Sequence, residues 1–537
     1  MSIERVIVKN YRALVSANIP LRPDFNIIVG DNESGKTTLL EAINLALKCQ
    51  INRRPVAYEI HPYLFNTGCV AQFIEDINKG RRASPPEILV ELYLTNSPDL
   101  ADLKGTNNSL SENTPGVSLT ICLDDEKYSE EYRDYISEPA KVRTIPVEYY
   151  KPVWQTFASH RDPLDTRSMP LRSSLIDPGS ISDTYAANKY IVEFAREYLT
   201  KQQQVAVALS YRKMRDVFGD DEGIRKINEG LAKRKGDVSQ KELSIAMDMT
   251  ARAGWEGAVL PYLDEIPITL VGKGEQNAIK IKLAVEAALE AERASQIILI
   301  EEPENHLSHS RLSQLLDHLV RKATGKQLIV TTHSSFVLNK LGIENTLMFR
   351  GNGSITLADL SKPTGDYFRK LPGHDTLRMI LARRTILVEG PSDELVVQKA
   401  FLQKHHKMPL HDGVEVISVN SLAFKRFLEI AKALKIRTCV VTDNDGDVAN
   451  VKEEYKEYAG EGDIQVCFSE DASLATLEPH ILAANGRKKL NKVLGKSCTT
   501  DEELLIYMKR NKTECALKIL ESPEQIEIPE YIQRAVE

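Results

Sequence analysis

The stretch Phe25-Asn26-Ile27-Ile28-Val29-Gly30-Asp31-Asn32-Glu33-Ser34-Gly35-Lys36-Thr37-Thr38 decides how the first half of this chain is read. An apolar run of strand length enters a G-x-x-x-x-G-K-T turn, and Thr38 to Leu47 keeps helical spacing. Strand, glycine-rich turn and helix in that order make a phosphate-binding loop. Gly30 and Gly35 let the backbone curl until its N–H groups surround phosphate oxygens, and the helix start adds a favourable dipole. Lys36 is expected at the outer phosphates of ATP and Thr37 at Mg²⁺, with Asn32 and Thr38 among the nucleotide contacts.

Three later motifs accompany the loop. Ile297-Ile298-Leu299-Ile300-Glu301-Glu302-Pro303-Glu304 is a Walker B strand with carboxylates at its end. Glu301 is expected to hold Mg²⁺ through water, and Glu302 to orient or deprotonate the attacking water. Thr331-Thr332-His333 ends the next apolar run and brings His333 near the γ-phosphate. Val271-Gly272-Lys273-Gly274-Glu275-Gln276 precedes a long apolar helix and resembles an ABC signature loop. Gly272 and Gly274 would offer N–H groups to ATP on a second head, which requires at least a dimer. Taken singly, His333 is better explained as a core or capping histidine, and Glu-Glu at a strand end is common at surfaces; together and in this order they select an ATPase. The head resembles the SMC/RecF type of ABC ATPase, and Arg12, after Tyr11, falls where that group carries an arginine near the nucleotide. Glu301 stands where many such heads have Asp, Val271 and Lys273 stand where a serine is usual, and Gln72 is the candidate for a glutamine loop.

The chain has 537 residues, too many for one core, so two or more domains are expected. Residues 1–184 and 264–365 read as two parts of the ATPase head, 185–263 as a helical insertion serving dimerisation, and 380–537 as a second α/β domain. Ile3–Val8, Ile88–Leu94, Val117–Cys122 and Ile266–Val271 read as strands, and Pro163–Ser182 as a linker or mobile loop. Ile191, Phe194, Ala195 and Leu199 carry the helical spacing of the insertion, for which a plain packed helical layer is the alternative. Gly351–Gly373, low in periodicity, is the expected boundary. The second domain repeats strand and helix: Thr385–Val388, Asp393–Gln403, Val414–Val419, Leu422–Leu434, Thr438–Thr442.

A net charge of −7 gives no global attraction to nucleic acid, so any DNA contact needs local basic surface. Candidates are Arg212-Lys213-Met214-Arg215, Lys233-Arg234-Lys235, Arg383-Arg384 and Arg487-Lys488-Lys489 with Lys492 and Lys496; each also reads as a solvated helix face. Seven scattered cysteines without C-x-x-C argue against a disulfide framework or a zinc site and fit a reducing cytoplasm. No apolar run is long enough for a membrane span, and the N-terminus lacks a signal-peptide layout.

A second constellation lies in the second domain. Glu389 follows the strand Thr385–Val388, and Asp443 and Asp445 follow Thr438–Thr442. In an open parallel sheet such strand ends meet in one crevice, and carboxylates crowded there repel unless a cation sits among them. Oxygen ligands favour Mg²⁺ or Mn²⁺. An EF-hand reading of Asp443, Asp445, Asp447 and Glu454 fails because Val448 occupies the place that needs glycine.

Glu-Gly after one strand and Asp-x-Asp after a later one resembles a Toprim domain, a Rossmann-like fold of primases, topoisomerases and certain nucleases. Nothing frames a topoisomerase tyrosine, and the cysteine spacing disfavours the zinc ribbon of a primase. An ABC head fused to a C-terminal Toprim domain resembles the OLD (overcoming lysogenisation defect) family of nucleases, including the Gabija-type defence nucleases. That resemblance implies ATP-regulated, metal-dependent cleavage of DNA, frequently against phage, by a homo-oligomer with no membrane partner and a potential companion defence protein. It implies a two-metal site on Glu389, Asp393, Asp443, Asp445 and Glu478, with Lys512 facing the scissile phosphate. The rival readings are an SMC/RecF-like DNA-binding ATPase whose Toprim part binds metal without cutting, and an ATPase acting on RNA.

Overall fold

The computed structural model describes residues 1–51, 54–158, 169–177, 199–232, 243–247, 255, 259–290, 295–305, 307–322, 325–350, 353–373, 375–419, 423–458 and 462–537. Ile191, Phe194, Ala195, the basic triplet 233–235 and the ends of the Pro163–Ser182 stretch lie outside them.

The head contains two six-stranded sheets. In one, Leu14–Pro20, Ile3–Tyr11, Ile88–Leu94, Thr114–Leu123 and Lys104–Gly105 are neighbours in that order, and Tyr150–Thr156 also pairs with Thr114–Leu123, all antiparallel. In the other the order is Leu171–Ile176, Ser295–Glu301, Gln327–Thr331, Phe25–Gly30, Thr346–Arg350, Gly353–Thr356, parallel except for the last hairpin. Continuous apolar runs suit these strands because both faces are covered. Ile28, Ile297 and Leu299 enter the core shared with the phosphate-loop helix Lys36–Lys48 and the antiparallel sheet. Their alternates Ile27, Val29, Ile298 and Ile300 enter a core on the opposite face.

That second core does not stop at the head. It takes in Phe368, Leu377, Leu387, Ile417, Phe427 and Val440, so the head and the second domain share one apolar interior. The second domain is a parallel sheet in the order Val414–Ser418, Arg384–Val388, Arg437–Val441, Ile464–Cys467. A third core packs its other face against the helix Pro391–His405 and the C-terminal helices from Leu477 onward.

Two expectations are corrected. Leu171–Ile176, inside the expected linker, is a strand paired along its length with the Walker B strand. Ile266–Val271 contributes only the two-residue strand Ile266–Pro267, followed by the 3-10 turn Ile268–Leu270. The expected boundary stretch, Gly351–Gly373, holds the strand Gly353–Thr356 and the helix Lys362–Lys370. Glu429, on Phe424–Leu434, accepts from Ser361 and Thr364 at the start of that helix, and Phe368 packs edge-on against Phe427 at 5.2 Å. Polar residues there cap a helix and bridge two domains. In the insertion, Lys201–Asp220 and Glu222–Ala232 are helices, Thr200 and Gln203 form a capping box, and none of their residues is buried.

Candidate nucleotide and metal sites

The phosphate loop owes its shape to two glycines used for different reasons. Gly35 has φ +98°, and a Cβ there would lie 2.6 Å from Leu14 Cδ2. A Cβ on Gly30 would meet Ser34 Oγ at 2.8 Å and the Phe349 carbonyl at 2.9 Å. Lys36 is buried and donates to the carbonyls of Gly30 (2.9 Å) and Asp31 (2.8 Å). Burial lowers its pKa, against the pull of Glu302, Asp31 and Glu301. Thr37 donates to Glu301 at the end of the Walker B strand, so the expected Mg²⁺ pair is in contact. Burial raises the pKa of Glu301, with Asp177, Glu302 and Glu41 adding to it and the Thr37 bond opposing.

Glu302 sits at φ +40° just past the strand. Its carboxylate accepts from Asn305 Nδ2 at 2.8 Å and lies 3.4 Å from His333 Nε2. Sequence reading passed over Glu304, whose Oε1 accepts from Thr332 Oγ1 and the His333 N–H, both at 2.8 Å. Glu304 therefore fixes the loop that carries His333; the only cue in the sequence was its place after Glu-Glu-Pro. Arg12 pairs with Glu41 on the phosphate-loop helix at 2.5 Å. Gly272 and Gly274 lie at the start of the helix Lys273–Glu290. Neither lines the cleft beside the phosphate loop of their own chain. Gln72 donates to Asp76 at the surface.

In the second domain Glu389 Oε1 accepts from Thr442 Oγ1 (2.6 Å) and the Asp443 N–H (2.8 Å), which ties the two strand ends together. Asp393 Oδ2 accepts from the Gly390 N–H at 3.2 Å, at the start of the helix Pro391–His405. Glu478 is buried, with one oxygen taking Thr476 Oγ1 at 3.0 Å and the other 3.3 Å from Lys512 Nζ. Burial, then Glu389, Asp393 and Glu478, push the Asp443 carboxyl up to about 8, while Lys512 pulls the other way. Burial and Glu389 bring Asp393 to about 6. Asp445, at φ +44°, is exposed and lines a cleft of about 980 Å³ with Glu389 and Asp443. Thr442 and Asn444 were not expected; Asn444 is buried and donates to the carbonyls of Ser469 and Asp471, both at 2.9 Å, which holds the acidic turn. Tyr531 is buried against the cluster, and its hydroxyl has no hydrogen-bond partner.

The structure thus gathers Glu389, Asp393, Asp443, Glu478 and Lys512 into one electrostatic neighbourhood. Among the described residues, no three His, Cys, Asp or Glu side chains are arranged as a finished cage for a metal ion. The carboxylates of Glu389, Asp393 and Glu478 are held by hydroxyls, backbone amides and Lys512. Their chemistry, hard carboxylate oxygen gathered in one place, suits a divalent cation.

Residues 380–445 match the family described as "Overcoming lysogenization defect protein-like, TOPRIM domain". Residues 1–137 match "AAA ATPase domain", and a further AAA domain family matches 126–339. The chain joins an AAA-type ATPase head to an OLD-like Toprim domain. This ATPase–Toprim chain is 23% identical to Endonuclease GajA of Bacillus cereus, over 83% of its own length and 75% of that protein's. It is 24% identical to the OLD nuclease of Thermus scotoductus, covering 82% of each. A solved SMC head bound to the C-terminal winged-helix domain of ScpA is 14% identical, with TM-score 0.34, over 66% of this chain and 97% of that one. Among the described residues, no helix is long and apolar enough to cross a membrane.

Proposed function

We propose that the protein is an ATP-regulated, divalent-metal-dependent DNA endonuclease acting as a homo-oligomer in the cytoplasm, in anti-phage defence. One observation carries this reading: Asp443 and Asp393, each held above its ordinary pKa by burial and by neighbouring carboxylates, share their neighbourhood with Lys512 in a chain that also holds a complete phosphate loop. Glu389, Asp443 and Asp445 would hold one Mg²⁺ or Mn²⁺, and Asp393 and Glu478 would help hold a second. Such ions supply an activated water and stabilise the leaving oxygen of a phosphodiester. The chain's own part is positional. Thr442 and the Asp443 N–H orient Glu389, Asn444 braces the turn, and Lys512 offers a positive charge to the phosphate.

In the head, Glu302 is held by Asn305 and lies near His333, in a position to take a proton from water attacking ATP. Gly272 and Gly274 would close over ATP on a second copy. ATP would then shift the balance between two arrangements of the heads and so the access of DNA to the Toprim crevice.

The test is supercoiled plasmid with Mg²⁺ or Mn²⁺, with and without ATP, cut by wild type and by Asp443→Ala with Asp445→Ala. Nicking by wild type alone supports the reading. Nicking by both overturns the site, and plasmid retarded in a gel but never cut favours a DNA-binding ATPase. Labelled RNA offered beside DNA tests the substrate class.

A further inference from the structure

Arg383 and Arg384 read as one basic cluster in the sequence, but the fold gives them separate partners. Arg384 opens the strand Arg384–Val388 and donates from Nη2 to the Ala535 carbonyl at 2.6 Å. Arg383 is exposed and lines an open cleft of about 1170 Å³ between the head and the Toprim domain. Asp31, Asn32, Glu33 and Ser34 of the phosphate loop line the same cleft, as does His333.

Two features equip Arg383 to reach a ligand there. Its stem lies on Gly413, where a Cβ would stand 3.1 Å from Arg383 Cδ and 3.4 Å from Cγ, and Gly413 has φ +68°. A side chain at Gly413 would strain the turn and crowd the arginine. The other arginine of the cleft, Arg378, is committed to Glu415 at 2.7 Å and Asp375 at 3.4 Å, whereas no described carboxylate pairs with Arg383. A guanidinium with a braced stem and free donors is suited to a phosphate oxygen.

We infer that Arg383 contacts the outer phosphate of a nucleoside triphosphate held by the phosphate loop of the same chain. The strand that begins at the next residue ends at Val388, directly before Glu389. Occupancy of the head is thereby linked through one buried strand to an acid of the Toprim crevice. The inference deepens the ATP-regulated reading and rests on it, but its readout does not depend on cleavage.

The experiment is calorimetric titration of the full-length chain with ATP and with ADP in Mg²⁺. Arg383→Ala should weaken ATP binding about tenfold and ADP binding much less, as expected for one lost charge-assisted hydrogen bond to the terminal phosphate. Arg383→Lys should recover part of the ATP preference. Melting of the nucleotide-free variants within about 1 °C of wild type, the shift on the order of what a 1 kcal/mol change gives a chain this long, checks the fold. An unchanged ATP-to-ADP ratio overturns the assignment, whether both affinities hold or both fall. If the ratio falls while wild type cuts no plasmid under any condition, the contact stands and the nuclease reading fails.

Discussion

Lys512 Nζ lies 3.3 Å from Glu478 Oε1, joining the first residue of one C-terminal helix to a buried carboxylate at the start of another. Lys512 is half exposed and Glu478 is buried, so the pair fixes where a positive charge faces the acids. Lys512→Ala should reduce plasmid cleavage by roughly 10²-fold, the scale of losing one preorganised charge at a reacting centre, and lower the melting temperature because it leaves the buried Glu478 carboxylate unpaired. Initial nicking rates beside a thermal melt check both; full activity would remove Lys512 from the site.

The acid cluster makes stability fall as pH rises. Asp443 and Asp393 stand at about 8 and about 6 in the folded chain, above an unfolded aspartate near 3.9. Carboxyls with raised folded pKa values favour the fold fully below the unfolded value, and that stabilisation is lost as they ionise. Melting temperature measured without divalent ions should therefore decline between about pH 4 and pH 8 through these groups. Asp443→Asn should flatten the upper part of the decline, and Mg²⁺ should raise the wild-type melting temperature more than the variant's. A pH-independent difference between the two proteins would contradict the shared field.

Glu302→Gln keeps the Asn305 contact within reach but removes the carboxylate proposed as base. ATP hydrolysis should drop about 10²- to 10⁴-fold with ATP still bound, the range for losing a general base. Phosphate release and nucleotide titration measure the two separately. Hydrolysis at the wild-type rate would move the role to another residue.

Phe368 is fully buried where the head meets the Toprim domain, edge-on to Phe427. Phe368→Ala should destabilise the protein by about 3–5 kcal/mol, the range for emptying an aromatic core site. Denaturant titration followed by a probe in each domain should show both transitions shifting together, because the same core serves both sides. A shift confined to one domain would mean the shared interior does not couple them.

The sequence by itself determined the elements whose signals are local. The phosphate loop, the Walker B strand and the strands ending at Glu389 and Asp443 were all legible, because glycine spacing, apolar runs and terminal acids act over a few residues. Only the tertiary structure decided that Leu171–Ile176 joins the sheet beside the Walker B strand, since its pairing energy comes from a partner far along the chain. It likewise made Lys362–Lys370 a bridge, brought Glu304 under His333 and gave Arg383 and Arg384 different neighbours. Those outcomes depend on which faces two domains bury against each other, and burial belongs to the whole packed chain.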